Sequence, residues 1–122
     1  MTFRQPRIHN EKHLAFIRGL PCIVSKDNTS TEAAHIRFSD LRVAKRKVGV
    51  GEKPDDCWTL PLSSAEHRKQ HAINEREYWR RAGIDPILYA LALYAISGDH
   101  ERGCEIVSNA GLAEPVNILA AG

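Results

Sequence analysis

Apolar residues in this chain recur with two different periods, and the changes of period mark its elements. Leu14 and Ile17, with His13 beside them, share one side of a short helix over residues 9–17, which Gly19 and Pro21 stop. Cys22-Ile23-Val24 is a short apolar run that reads as a strand, and the polar residues 26–31 read as a turn. Residues 33–38 alternate, with Ala34, Ile36 and Phe38 on one side and His35 and Arg37 on the other, which predicts a strand. Residues 58–62, centred on Leu60 and Leu62, predict another.

Helical signals follow. Ser63 and Glu66 have the spacing of a capping box and open a helix that runs through His71. Asn74 and Glu77 repeat that spacing before Tyr78 and Trp79, and Arg80, Arg81 and Gly83 form the stop. Asp85-Pro86 opens a third helix. Its residues 87–96 are apolar on most faces, as expected of a core helix or a dimer contact. Beyond Gly98 the chain becomes more acidic and loses clear periodicity, and residues 103–122 read as one short helix or a loose tail.

At 122 residues the chain has the size of one modest domain, and 43% hydrophobic with 26% charged residues is ordinary globular composition. The expected fold is a small single α+β domain over residues 1–122. Its motif core covers about residues 20–72, with flanking helices at about 9–18, 74–82 and 85–97 and a tail at 103–122. No run is long and apolar enough to cross a membrane, and the opening residues lack a signal-peptide core, so a cytoplasmic protein is expected. Three cysteines, Cys22, Cys57 and Cys104, without a Cys-x-x-Cys pair, indicate neither a disulfide framework nor an all-cysteine zinc site. Cys57 beside Trp58 is expected to pack.

The chemistry concentrates in histidines and basic residues. His67 and His71 are four apart, which puts two imidazoles on one helix face, where they can serve one divalent metal ion or simply pack or face solvent. Further ligands must come from elsewhere: His35 lies upstream, and Asp55 and Asp56 precede the middle strand. A histidine outside the coordination shell can instead take a proton from water. A net charge of +2 does not announce a nucleic-acid partner, so the distribution has to. Arg37, Arg42, Lys45, Arg46, Lys47, Lys53, Arg68 and Lys69 all fall in the middle of the chain. Exposed together they would hold a phosphate backbone without reading bases. Arg37, two residues after His35, is the expected phosphate contact nearest the reactive centre.

Several segments then carry a resemblance. Leu20-Pro21-Cys22-Ile23-Val24-Ser25, Glu32-Ala33-Ala34-His35-Ile36-Arg37, Gly51-Glu52-Lys53-Pro54-Asp55-Asp56 and Pro61-Leu62-Ser63-Ser64-Ala65-Glu66-His67-Arg68-Lys69-Gln70-His71 occur in the order seen in phage and prophage HNH-type (ββα-metal) proteins. Gly83-Ile84-Asp85-Pro86 is similar to their downstream segment. The resemblance, to the group related to the RecA-dependent nuclease of a temperate phage, covers roughly residues 9–96. It implies a β-hairpin and helix around one divalent ion, His35 as general base, and His67 and His71 as ligands. Asp56, or its neighbour Asp55, would take the place of the residue that orients the base. Ala34 stands where many such proteins carry a metal-binding Asp or His, so Asp55, Asp56, waters or phosphate oxygens would complete the ion's shell. Cys22, Ser25, Ser63 and Glu66 stand where relatives hold a structural zinc, which is expected to be absent here.

The resulting expectation is a metal-dependent DNA endonuclease. His35, Asp56 and Arg37 are its catalytic residues, and His67, His71 and Asp55 hold Mg²⁺ or Mn²⁺ first, with Ni²⁺ or Zn²⁺ as further options. DNA is the expected partner, with room for a recombination or other phage or host DNA-processing protein, and for a homodimer in which two centres cut two strands. The alternative is a non-catalytic DNA-binding or recombination-accessory protein of the same fold. A third reading is an oligomeric structural protein whose histidines only pack.

Overall fold

The computed structural model describes residues 8–40, 42 and 55–111. Among them the elements are α1 (Glu11–Arg18), β1 (Thr31–His35), β2 (Thr59–Ser63), α2 (Ser64–Ala72), α3 (Glu75–Ala82), α4 (Pro86–Ala95) and α5 (His100–Asn109). This is a small single α+β domain with a two-stranded antiparallel sheet. No helix among the described residues is long and apolar enough to cross a membrane.

The helices start where short polar side chains take up orphan backbone donors. Asn10 accepts the N–H of His13, Ser63 that of Glu66, Asn74 that of Glu77, Asp85 those of Ile87 and Leu88, and Asp99 that of Arg102. The expected capping box at α2 is half formed. Ser63 caps as expected, but the Glu66 carboxylate faces the Tyr78 hydroxyl at 2.9 Å and Lys69 at 3.1 Å. Gly83, with φ of 72°, ends α3 in the left-handed region that glycine tolerates.

The two strands pair from Thr31↔Ser63 to His35↔Thr59. All five residues of β2 are buried, with α1, α2 and α4 packed against it. Pro61 fits this strand because a residue's N and carbonyl oxygen point to the same edge. Its carbonyl takes Ile23 N–H at 2.9 Å on the side away from β1, so its missing N–H removes nothing from the ladder. The first strand is shorter than expected, ending at His35 instead of Phe38. Ile36 still donates to the Trp58 carbonyl at 2.8 Å, and Ala34 and Ile36 are buried as the alternation predicts.

Two expectations need correction. Residues 22–24 are not a strand. They form a turn in which Lys26 N–H closes on the Cys22 carbonyl, Cys22 N–H on the Asp27 carbonyl, and Lys26 itself adopts a φ of 65°. The Lys26 ammonium then reaches the carbonyls of Ile23, Val107 and Ala110 at 2.7–2.8 Å, closing the turn against the end of α5. Residues 100–109 form a ten-residue helix, which begins three residues ahead of the 103–122 stretch expected to hold one short helix or a loose tail. Gly103 lies inside α5 at a close approach. A Cβ there would stand 2.8 Å from Leu20 Cδ2 and 2.9 Å from Phe16 Cζ.

The core gathers Ile17, Leu20, Ile36, Leu60, Leu62, Trp79, Ile87, Leu93 and Val107. His13 sits within it, fully buried, with Nδ1 2.7 Å from Ser97 Oγ and its ring edge-on to Tyr94 at 4.8 Å.

Candidate active site

His35 is the last residue of β1, opposite Thr59. The turn before β2 is closed by Trp58 N–H on the Asp55 carbonyl and by Thr59 Oγ1 on the Asp56 carbonyl. That turn brings Asp56 to His35, with Oδ1 2.9 Å from Nε2. Asp56 is fully buried, a costly position for a carboxylate unless donors surround it. They do: His35 approaches Oδ1, while His9 Nδ1 at 2.9 Å and Asn10 N–H at 2.7 Å approach Oδ2. An ionised carboxylate only accepts, so His35 donates from Nε2 and its Nδ1 carries the lone pair. That is the orientation a general base needs.

The second pair stands on α2. His67 Nδ1 lies 2.7 Å from Glu32 Oε1, and Ser64 Oγ donates to Glu32 Oε2 at 2.8 Å. The His67 and Ser64 hydrogen bonds hold the Glu32 carboxyl below its ordinary range. With Nδ1 directed at Glu32, His67 presents Nε2, which lies 3.2 Å from His71 Nε2. Metal–nitrogen bonds of about 2.0–2.1 Å put two nitrogens on one ion roughly 3–3.4 Å apart, so the pair fits two adjacent positions on a divalent cation. A carboxylate behind a ligating imidazole is also the usual support for such a ligand.

Both pairs belong to one β–β–α unit. Glu32 meets His67 near the start of α2, and Gln70 near its end donates to Glu75 Oε2 at 2.8 Å. Glu75 Oε1 in turn accepts Arg37 N–H at 3.0 Å, just beyond β1. These links lay the helix along the first strand.

The other expected residues are placed as follows. Asp55 does not join His67 and His71: its Oδ1 accepts Ile8 N–H at 2.7 Å, tying the turn to the segment before α1. No group of three or more His, Cys, Asp or Glu that could hold a metal ion occurs among the described residues. Among the described residues, the histidine pair thus leaves room for water or substrate oxygens as further ligands. Ala34 is fully buried. Arg42, expected on a phosphate backbone, is paired with Asp40 and Asp85, the second of which also caps α4. Lys69 pairs with Glu66, and Arg68 is exposed on α2. Lys45, Arg46, Lys47 and Lys53 lie outside the described residues. At the four positions compared with a zinc site, Cys22 Sγ accepts Ser25 N–H at 3.4 Å, and Ser63 and Glu66 serve the α2 cap and Tyr78. Burial, then the bond to Glu66, pushes the Tyr78 phenol well above its ordinary range.

Two residues at these sites were not legible in advance. Glu32 lies two positions before Ala34 and so on the same side of β1, which is a signal in the alternation. His9 belongs to a segment that reads only as a helix start, and nothing local distinguishes it. Comparison of the chain with protein-family models, curated proteins and solved structures brings no match, so the site is read from its own geometry.

Proposed function

We propose that this domain is an HNH-type, metal-dependent endonuclease that hydrolyses DNA phosphodiester bonds. The observation that carries the reading is the His35–Asp56 contact of 2.9 Å, with Asp56 fully buried. It lies in the same β–β–α unit whose helix holds two imidazole nitrogens 3.2 Å apart. A base with a fixed tautomer and a two-nitrogen cation site are the two parts that phosphodiester hydrolysis needs.

In this mechanism His35 Nδ1 takes a proton from the attacking water. Asp56 holds the ring by Nε2–H and stabilises the imidazolium that forms. His67 and His71 hold the divalent ion, and Glu32 keeps His67 in the tautomer that offers Nε2. The ion, when bound, neutralises charge building on the phosphate and its leaving oxygen. Two imidazoles, joined by no protein oxygen among the described residues, favour Mn²⁺, Ni²⁺ or Zn²⁺ over Mg²⁺, which prefers oxygen ligands. Arg37, two residues beyond the base, and the exposed Arg68 serve the phosphate backbone.

The test is nicking of supercoiled plasmid at low salt, first with EDTA and then with each metal, beside His35→Ala and His71→Ala. Metal-dependent nicking lost in both variants is expected. Full activity in His35→Ala would remove the base assignment.

One observation favours a second reading, a DNA-binding accessory protein of the same architecture: among the described residues no third protein ligand joins His67 and His71. Salt-sensitive DNA binding with no cleavage under any metal would select it.

A further inference from the structure

Asp56 holds two histidines, and the hydrolysis described above uses one. His9 Nδ1 lies 2.9 Å from Asp56 Oδ2, and the His9 side chain is 60% exposed while Asp56 is fully buried. The position is built. Ile8 N–H donates to Asp55 Oδ1, Ile8 accepts from Asp56 N–H at 2.8 Å, and Asn10 N–H donates to Asp56 Oδ2. These three bonds lace residues 8–10 onto the turn that carries Asp56, so His9 is delivered to the carboxylate by hydrogen bonds from the residues on both sides of it. With Nδ1 committed to Asp56, Nε2 is the remaining nitrogen of a side chain that is 60% exposed.

We infer that His9 is the proton donor to the leaving oxygen, paired with His35 through their shared carboxylate. This rests on the nuclease reading and assigns its second proton transfer. The step starts from His9 carrying protons on both ring nitrogens, with Nδ1–H facing Asp56 Oδ2. Water loses a proton to His35 Nδ1 as its oxygen bonds to phosphorus. The bond from phosphorus to the leaving oxygen breaks, and that oxygen takes the proton from His9 Nε2. The positive charge has then moved from one ring to the other across an Asp56 that stays ionised, and exchange with solvent restores the starting state.

The experiment compares two substrates with the full chain and the metal that supports nicking: an oligonucleotide duplex and the p-nitrophenyl ester of thymidine 5′-phosphate. Nitrophenolate departs without a proton. His9→Asn keeps a donor for Asp56 but cannot deliver a proton, and His9→Ala removes both. Both variants are expected to lose about 10²–10⁴-fold on DNA, the usual worth of a positioned acid, and to stay within about threefold of the parent on the ester. His35→Ala should fall on both substrates. Retained ester turnover shows that the variants are folded. Parent-like DNA cleavage by His9→Asn, or equal losses on the two substrates, overturns the role of His9 alone. Turnover of neither substrate by the parent protein overturns the nuclease reading and this role with it.

Discussion

Glu32 Oε1 and His67 Nδ1 lie 2.7 Å apart, joining the start of β1 to the first turn of α2. The contact sets which nitrogen His67 turns toward His71. Without Glu32 the ring can rotate or change tautomer, and the two-nitrogen site loses its definition. Glu32→Ala should therefore weaken Mn²⁺ or Zn²⁺ binding by about 10–100-fold, as loss of such supports typically does. Calorimetric titration of the metal into both proteins measures this. Unchanged affinity would place the cation elsewhere.

Asp56 has a structural share as well as a chemical one. Removing it leaves Asn10 N–H, at the start of α1, without its acceptor, and two imidazoles without their carboxylate. Asp56→Ala should cost about 1–3 kcal/mol in urea denaturation, the scale of an unsatisfied buried donor. His35→Ala removes a partly exposed ring and should cost less. The reverse order would contradict the view that Asp56 organises the turn.

His13 predicts an acid-sensitive fold. Burial holds its pKa below the ordinary 6.5, with the charge of Asp56 pulling back only in part. Its Nε2 is buried with no hydrogen-bond partner among the described residues. The unfolded chain protonates this ring near pH 6.5, and the folded chain resists until lower pH. The unfolded state thus binds more protons in that window, and stability falls as pH drops from about 6.5 toward the folded pKa. Urea midpoints at pH 7.5 and 5.5 should show the loss, and His13→Leu should reduce it. A slope unchanged in that variant would assign the loss to other groups.

Lys26 predicts a mechanical dependence between distant elements. Its ammonium meets three carbonyls, one in its own turn and two at the end of α5. Lys26→Met keeps the apolar stem and removes all three donors. A loss of about 1–2 kcal/mol is expected, since these charge-assisted bonds are only part-buried. Hydrogen exchange should show faster opening of α5 in this variant. Parent-like protection there would mean the clasp adds nothing.

Much of the local structure could be read directly from neighbouring residues. Ser63, Asn74 and Asp85 start helices because a cap is an interaction across two or three positions, visible in any short window. The burial of Ala34 and Ile36 follows from strand alternation, and the contact of His67 with His71 from one helical turn. The tertiary arrangement settled what depends on distant partners. Asp55 and Asp56 are equivalent in the chain, yet the turn before β2 aims one at Ile8 and the other at His35. Glu32 supports His67 only because register and helix placement bring residues 35 apart together. Gly103 sits where Leu20 and Phe16 take the space a side chain would need, a fit set by packing. Cys22-Ile23-Val24 has strand composition, but Pro61 and Lys26 bend it into a turn. Caps and periodicity are energies of near neighbours, whereas the carboxylate that meets His35 is chosen by packing and register, which no short window of sequence contains.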